Sequence, residues 1–318
     1  MVKTGVECEF FLVSPDGTAL ADERDTQEKP CYDQLVLMRR YELISEICDG
    51  MLSLGWKPYQ NDHEDANGQY EMNWDYAEAL VTADRHVFFK YMTKTLAEKH
   101  GLRATFMPKP FEHLTGNGLH CHVSLWNKKG RNLFHDKKGE LGLSQTAYHF
   151  LGGLLKSARP LCAIFNPTVN SYKRINAPAT ASGATWAPNT VSYGGNNRTH
   201  MIRIPESDRF ELRLADGSTN PYLMQAAMLA AGLDGISKRR NPGKRNEANM
   251  YTESHKFPKL ERLPLYLIDA LRLLDECKVL RDALGDETID AFVKLKTSEW
   301  NDYCRYFSHW ERDHTLDC

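Results

Sequence analysis

Three short stretches of the sequence carry chemically capable side chains at every second position. They read VECEF (6–10), LHCHVSL (119–125) and RFELRL (209–214). Side chains alternate between the two faces of a β-strand, so each stretch would place its polar residues on one face. Those faces would hold carboxylates, imidazoles, guanidiniums and one hydroxyl, which are groups that bind metals and phosphates: Glu7 and Glu9; His120, His122 and Ser124; Arg209, Glu211 and Arg213.

Each stretch alone also fits an ordinary amphipathic strand with one face in water. Glu211 between two arginines fits a structural ion-pair ladder, and His122 fits a core histidine. If the three polar faces belong to one sheet, however, they form one site.

Two further carboxylates extend this set, because the loop between Glu64 and Glu71 can return the second to the same place. Clustered carboxylates repel, by about 4 kcal/mol for a pair 4 Å apart at an effective dielectric of 20, and need divalent cations. Oxygen ligands with one imidazole favour Mg²⁺ or Mn²⁺ over zinc. Arginines that could clamp carboxylates and phosphates complete the inventory of a phosphoryl-transfer site: Arg174, Arg198, Arg203, Arg209 and Arg213.

The elements that would position these residues alternate in type, which predicts an α+β fold. Strands are predicted at 5–13, 69–74, 103–110, 118–126, 199–204 and 209–215, and helices at 32–55, 75–100 and 144–158. Ser144 is placed as an N-cap and Gly101 as a C-terminal glycine. From Asn220 onward the chain is predicted to be mostly helical.

Composition and charge exclude several classes of partner. The 318-residue chain has a formal net charge of −2 and a pI near 6.6, which provides no basic surface for nucleic acid or anionic membrane. Small molecules or further copies of the chain are the expected partners. Eight cysteines without a C-x-x-C pair and no apolar segment of membrane-spanning length predict a cytoplasmic protein with reduced thiols.

An uncharged run of 23 residues separates Arg174 from Arg198: INAPATASGATWAPNTVSYGGNN. Pro178, Pro188 and the pair Gly194–Gly195 exclude a long helix or regular strand, so the run is predicted to be a loop. No Walker motif or GxGxxG precedes it, which argues against a P-loop or kinase-type nucleotide site.

Several motifs in order along the chain resemble the catalytic domain of glutamine synthetase: ECEFFLV, HEDANGQYEMNW, ATFMPKP, NGLHCHVSLW, NPTVNSYKR, NNRTHMIRIP and RFELRLADGSTNPYL. The stretches RINAPATASGATW and VSYGGNNRTHMIRIP resemble the type III or γ-glutamylmethylamide synthetase group in particular. The resemblance implies a glutamine synthetase/guanido kinase-like fold, a curved, mainly antiparallel sheet with flanking helices, over residues 1–318, with the last ~80 residues helical.

The resemblance also implies roles for individual residues. Glu9, Glu64 and Glu71 would bind one metal ion, and Glu7, His120 and Glu211 a second one beside the ATP phosphates. Arg174, Arg213 and Gly116 would hold L-glutamate, while His122, Ser124, Arg203 and Arg209 would contact the nucleotide. Arg174, Arg198 and Arg203 would serve catalysis, in which ATP phosphorylates the γ-carboxylate and an amine displaces phosphate.

The sequence departs from the family in three places. The uncharged run replaces a flap that normally carries a glutamate, so either another acid takes the proton from ammonium or the amine is an alkylamine such as methylamine, enclosed by Trp186 and Tyr193. Thr115 replaces the asparagine that usually precedes Gly116, and the segment around Tyr251 does not support adenylylation. An N-terminal β-grasp domain is expected ahead of Gly5; the chain is a fragment, a mis-called start or a shortened protein.

Three functional hypotheses follow. The first is an ATP-dependent γ-glutamyl amide ligase, assembled as a homo-oligomeric ring, a dodecamer, if the N-terminal domain is present. The second is a guanidino kinase, which should lack the motif NSYKR found at 170–174. The third is a non-catalytic homologue, which should have lost metal ligands that this sequence retains.

Overall fold

The structure is a computed structural model that describes residues 1–180, 185–206 and 208–318. Positions 181–184 of the uncharged run and Ser207 of the predicted strand connection lie outside the described residues. The described strands are β1 (Val2–Val13), β2 (Pro58–His63), β3 (Gln69–Trp74), β4 (Ala77–Glu78), β5 (Arg103–Thr105), β6 (Leu119–Leu125), β7 (Tyr193–Gly194), β8 (Ile202–Glu206) and β9 (Arg209–Leu212).

The described helices cover the predicted helical regions and add several short ones. They are α1 (Gln34–Arg39), α2 (Tyr41–Ser53), α3 (Ala79–Lys99), α4 (Gln145–Lys156), α5 (Ala158–Phe165), α6 (Ser171–Ile175), α7 (Pro221–Ser237), α8 (Met250–Glu253), α9 (Leu267–Asp275), α10 (Lys278–Leu284), α11 (Asp286–Arg305) and α12 (His309–Thr315). Ser144 caps α4 by accepting a hydrogen bond from the backbone N–H of Ala147, as predicted.

The nine described strands form one sheet with the order β2-β3-β1-β6-β9-β8-β7, and β4 and β5 also pair with β1. Every pair within the described chain is antiparallel except β7 with β8. The predicted α+β class and mainly antiparallel sheet are confirmed. β2 was missed because its sequence, PYQNDH, is polar and lacks the β-branched residues typical of strands.

The long helix predicted at 32–55 is wrong as a single element. Asp33 caps α1 with its side chain, and the backbone leaves helical geometry at Arg40 (φ −112°, ψ 16°) before α2 begins. Arg40 donates to the carbonyl of Ala21, and Arg39 donates to Asp22 over 2.5 Å. These tertiary contacts hold the break in a region whose periodicity favours one helix.

The apolar face of the sheet packs against helices around a dense aromatic core. Phe10 of β1 lies 6.2 Å from Phe89 of α3 and 5.6 Å from Phe106, measured between ring centroids. Trp74 of β3 lies 5.0 Å from Phe89. Burial of this face leaves the other face of the same strands to line the cavity described below.

Helices α4 and α7 approach closely through two glycines. A Cβ added at Gly153 would lie 2.0 Å from the carbonyl oxygen of Ala231 and 2.8 Å from the Cα of Gly235. Backbone atoms cannot move aside as a flexible side chain can, so this crossing requires glycine.

We expect Gly153→Ala to lower the free energy of unfolding by about 3 kcal/mol, the upper end of overpacking costs, because the helices must separate. Gly195→Ala is the control, since its Cβ would meet only the carboxylate and guanidinium ends of Glu247 and Arg245, at 3.2 Å and beyond. Urea denaturation of both variants measures the difference, and equal losses would contradict the tight helix crossing.

Candidate active site

The polar strand faces predicted from the sequence lie side by side. β6 pairs with β1 on one side and with β9 on the other, so the three strands are neighbours in one sheet. Directly opposed residues on neighbouring strands have closely spaced side chains. The opposed pairs are Glu7 with His120, Glu9 with Glu71, His122 with Glu211, and Arg203 with Glu211. The hypothesis that the polar faces share one sheet is confirmed.

A cavity of about 680 Å³ lies on this face, a volume that suits a small-molecule site. Most of the predicted residues line it: Glu7, Glu9, Glu64, Glu71, His120, His122, Ser124, Arg198, Arg203, Arg209 and Arg213. The predicted residues outside this lining, Glu211, Arg174 and Gly116, are buried behind it.

Carboxylates crowd one side of the cavity. Burial, followed by the charges of neighbouring carboxylates, raises the pKa of Glu64 and of Glu71 well above the ordinary range. The pKa of Glu7 moves the other way. Burial raises it, but hydrogen bonds with His120 and His122, at 3.1 and 2.8 Å, hold it well below its ordinary value.

The opposite side of the cavity is cationic. Glu211 is fully buried, and it accepts hydrogen bonds from Arg203 at 2.8 Å and from Arg213. Burial would raise the pKa of Glu211, but the charge of Arg213 together with those of His120 and His122 outweighs burial and lowers the value to about 2. Of the ion-pair ladder considered from the sequence, with Glu211 between Arg209 and Arg213, only the Arg213 contact is present, because Arg209 pairs with Glu206 and Arg203 takes its place beside Glu211. His120 Nδ1 also lies 3.6 Å from the Glu211 carboxylate.

The remaining arginines of the cavity contact a histidine and a tyrosine. Arg209 Nε donates to His122 Nδ1 at 3.1 Å, and Arg198 Nη1 donates to the hydroxyl of Tyr32 at 3.4 Å. Tyr32 lines the cavity with a backbone in the left-handed region (φ 66°). Tyr32 was not predicted from the sequence.

The donor set fits divalent cations. Three groups of side chains have ligand atoms within 4.8 Å of one another: Glu7, Glu71 and His120; Glu7, His122 and Glu211; Asp62, Glu64 and Glu71. His120 Nε2 is buried without a hydrogen-bond partner, although it lies 3.7 Å from Glu9 Oε1. An unpaired buried nitrogen grouped with the Glu71 carboxylate, whose pKa is raised, is suited to a cation, which would favour the ionised form of that carboxylate.

These groups divide the residues differently from the two ligand sets that the resemblance implies. Asp62, which sequence analysis missed, joins Glu64 and Glu71, whereas Glu9 is held by the backbone N–H of Gly118 at 2.6 Å and by Gln69 at 3.2 Å. Asp62 lies in β2, two residues before Glu64, and recognising β2 as a strand would have placed both on one face.

Two glycines lie just before β6, where the backbone passes very close to other groups. A Cβ at Gly118 would lie 2.8 Å from both Arg174 Nη2 and His120 Nε2, and one at Gly116 would lie 2.2 Å from the carbonyl of Pro108. Arg174 is 1% exposed, and its Nη1 donates to the carbonyls of Leu214 and Ala215 at 3.1 Å. These contacts fix the guanidinium next to Gly118.

The uncharged run contributes one aromatic residue to the cavity. Trp186 lines it with a left-handed backbone (φ 50°). The expectation that Tyr193 also encloses the site is wrong, because Tyr193 packs in the core and donates its hydroxyl to the carbonyl of Gly243 at 2.8 Å. Strand β7 pulls Tyr193 into the sheet, a contact that composition did not reveal.

Thr180, in the first half of the run, lies 3.3 Å from Thr115, measured between hydroxyl oxygens. Thr115 in turn donates to the carboxylate of Asp65, next to Glu64.

Among the helices that the structure describes, none is long and apolar enough to cross a membrane.

A carboxylate-rich cavity facing buried arginines on an antiparallel sheet defines an enzyme that handles anionic substrates with divalent cations. Comparison with known proteins gives the family. The glutamine synthetase catalytic-domain family model matches residues 1–315. The chain belongs to the glutamine synthetase family, whose members are ATP-dependent ligases.

Individual relatives differ in the amine that their names imply. The chain is 62% identical to glutamine synthetase of Rhizobium meliloti (strain 1021), over 99% of the chain and 73% of the relative. It is 45% identical to glutamate–methylamine ligase of Methyloversatilis universalis, over 99% of the chain and 72% of the relative. A solved structure described as a GmaS/ADP complex, conformation 1, superimposes with a TM-score of 0.96 at 64% identity, over the whole chain and 73% of that structure.

The raised pKa values predict a pH-dependent effect of metal. Above pH ~4.3 the unfolded chain ionises Glu64 and Glu71 while the folded chain keeps their protons, so each group lowers stability by up to ~1.4 kcal/mol per pH unit until its folded pKa is passed. Mn²⁺ should displace those protons and therefore raise the melting temperature more at pH 8 than at pH 6.

Differential scanning fluorimetry with and without Mn²⁺ measures this effect. Glu71→Gln is the matched variant, because its amide keeps the shape but cannot ionise; its pH dependence should be shallower and its Mn²⁺ response smaller. A Mn²⁺ shift that is equal at both pH values would contradict the coupling between proton release and metal.

Proposed function

We propose that this chain catalyses ATP-dependent ligation of an amine to the γ-carboxylate of L-glutamate through γ-glutamyl phosphate. The observation that carries the proposal is the meeting of a carboxylate side and an arginine side in one cavity. The reaction brings a carboxylate against a triphosphate, so both charge groups must be neutralised in the same place. The wall residues supply that neutralisation from two directions.

The proposed division of labour follows the resemblance. Mg²⁺ or Mn²⁺ would be held by Glu9, Glu64 and Glu71 and by Glu7, His120 and Glu211, and when bound would neutralise phosphate and carboxylate charge. Arg174, Arg213 and Gly116 would hold glutamate, and His122, Ser124, Arg203 and Arg209 the nucleotide. Arg174, Arg198 and Arg203 would act in catalysis.

The buried cations support the roles of the arginines. Burial lowers the pKa of Arg213, but the Glu211 carboxylate together with Tyr251, Glu7 and Glu9 outweighs burial, raises the pKa and keeps the guanidinium charged. A charged, immobilised donor stabilises developing negative charge without reorganising.

The proposed reaction has two steps. In the first, a γ-carboxylate oxygen attacks the terminal phosphorus of ATP and ADP leaves. In the second, an amine nitrogen attacks the acyl carbon, phosphate leaves and the nitrogen loses a proton.

We also infer that residues 1–318 form a single catalytic domain. The sheet supplies the cavity, and the last ~80 residues pack as helices from α8 onward, with α9 against α5. Ring assembly and a cytoplasmic location stay predictions.

Ammonia is the acceptor that the family name implies, and methylamine is a second candidate that a specific observation favours. Trp186 presents an indole to the cavity, and residues 175–197 contain no Asp or Glu. Burying the methyl group of methylamine against an apolar wall would strengthen its binding by about 0.8 kcal/mol, whereas ammonium has no methyl group to bury. Relatives named glutamate–methylamine ligase and GmaS support this candidate.

The decisive measurement is phosphate release with glutamate, ATP and Mn²⁺, comparing ammonium, methylamine and ethylamine. It is run on this chain and on the chain joined to the N-terminal segment of the Rhizobium relative, since the relatives are longer. We expect amine-dependent release, and Arg203→Gln should lower kcat by about 10² or more, because an electrostatic contact to the reacting phosphate is lost. Lys156→Gln, at the end of α4, is the control. No release from either protein with any amine would contradict the ligase proposal.

The composition of the uncharged run predicts which amine is the preferred acceptor. Thr180→Glu would place a carboxylate beside Thr115, and Asn189→Glu would place one in the second half of the run. An added carboxylate should attract ammonium and exclude the methyl group, so the ammonium-to-methylamine ratio of kcat/KM should rise about tenfold, or ~1.4 kcal/mol. Thr180→Gln is the uncharged control, and an unchanged ratio in both glutamate variants would show that the run does not select the amine.

A further inference from the structure

His63 is the last residue of β2 and immediately precedes Glu64. Its imidazole is fully buried and engaged at both nitrogens, with Nε2 2.8 Å from Asp25 Oδ2 and Nδ1 3.1 Å from the carbonyl of Pro30. The ring also lies edge-on to Tyr70, 5.7 Å between centroids. The direction of the chain at Glu64 is therefore set by a side chain that does not itself enter the cavity.

Asp25 also binds the other end of the hairpin turn that follows His63. Its carboxylate, which has no exposed surface, accepts hydrogen bonds from the backbone N–H of Gly68 at 2.7 Å and from the side chain of Asn67 at 2.9 Å. Gly68 has φ +70°, which favours glycine. One carboxylate thus holds both ends of the turn 63–68, and the turn separates Glu64 from the strand that bears Glu71.

The backbone of His63 continues this connection to the arginine side of the cavity. Its carbonyl accepts a hydrogen bond from the N–H of Tyr32 at 2.8 Å, and the Tyr32 hydroxyl accepts from Arg198. The segment 25–32 therefore joins the carboxylate hairpin to an arginine of the opposite wall.

We propose that Asp25, acting through His63 and the turn backbone, is a positioning residue that sets the separation of the Glu64 and Glu71 carboxylates for a divalent cation. The inference rests on the proposed function, which makes these carboxylates metal ligands. Mutation of residues that orient metal ligands typically costs 10- to 100-fold in metal affinity. A residue that only stabilises the fold would leave the affinity of the folded protein unchanged.

The test measures Mn²⁺ binding to this chain by titration with electron paramagnetic resonance, alongside the melting temperature without metal. Asp25→Asn should weaken Mn²⁺ binding 10- to 100-fold. Asp22→Asn is the matched control, because Asp22 is a buried acid three residues earlier that instead pairs with Arg39 at 2.5 Å. The control should have a lower melting temperature than the parent protein and an unchanged Mn²⁺ affinity.

A second pair of variants keeps the test decisive if Asp25→Asn folds poorly. His63→Gln retains an amide donor toward Asp25 and should bind Mn²⁺ within about threefold of the parent, whereas His63→Ala should lose 10- to 100-fold. Parent-like Mn²⁺ affinity in folded Asp25→Asn or His63→Ala would overturn the positioning role while leaving the metal site intact. If the parent and Glu71→Gln bind Mn²⁺ equally, the proposed metal site itself fails and the positioning role fails with it.

Discussion

Like charges gathered on one sheet face are the constraint to which the rest of the structure responds. Carboxylate oxygens within 4.8 Å of one another would repel by a few kcal/mol per ionised pair at an effective dielectric of 20. On one side, Arg213 with His120 and His122 lowers the pKa of Glu211 to about 2, and Arg203 also donates to its carboxylate. On the other side, Glu64 and Glu71 have no comparable cation among their described contacts, and their pKa values rise. This imbalance is what suits the Glu64 and Glu71 side of the cavity to a cation.

The scaffold holds that imbalance in place through contacts made outside the cavity. Glycine at positions 116 and 118 lets the segment before β6 lie against the Arg174 side chain, and at 118 it also leaves room for the His120 imidazole. The buried pair of Asp25 and His63 fixes the turn beside Glu64. Neither these glycines nor the Asp25–His63 pair lines the cavity, yet both determine where charged atoms lie within it.

Two sides of the cavity differ in how well their chemistry is defined. Where carboxylates and arginines meet, the charged residues lie within hydrogen-bond distance on regular strands. Where the amine would enter, the wall is built from Tyr32, Trp186 and a segment without acidic residues. Small differences in such a wall separate ammonia from methylamine by little free energy, because a single methyl group is worth under 1 kcal/mol.

The sequence by itself determined the chemistry and the fold class, because strand periodicity is local: residues two apart share a face wherever the strand lies, so Glu7 with Glu9 and His120 with His122 followed from spacing alone. The tertiary structure decided which faces meet, and it brought in Asp62 and Tyr32 through a polar strand and a positive φ that carry no sequence signal. It also moved Tyr193 into the core and broke one predicted helix at Arg40. Pairing across the sheet joins residues that are far apart in the chain, such as Glu7 with His120 and His122 with Glu211, and no local pattern encodes those pairs.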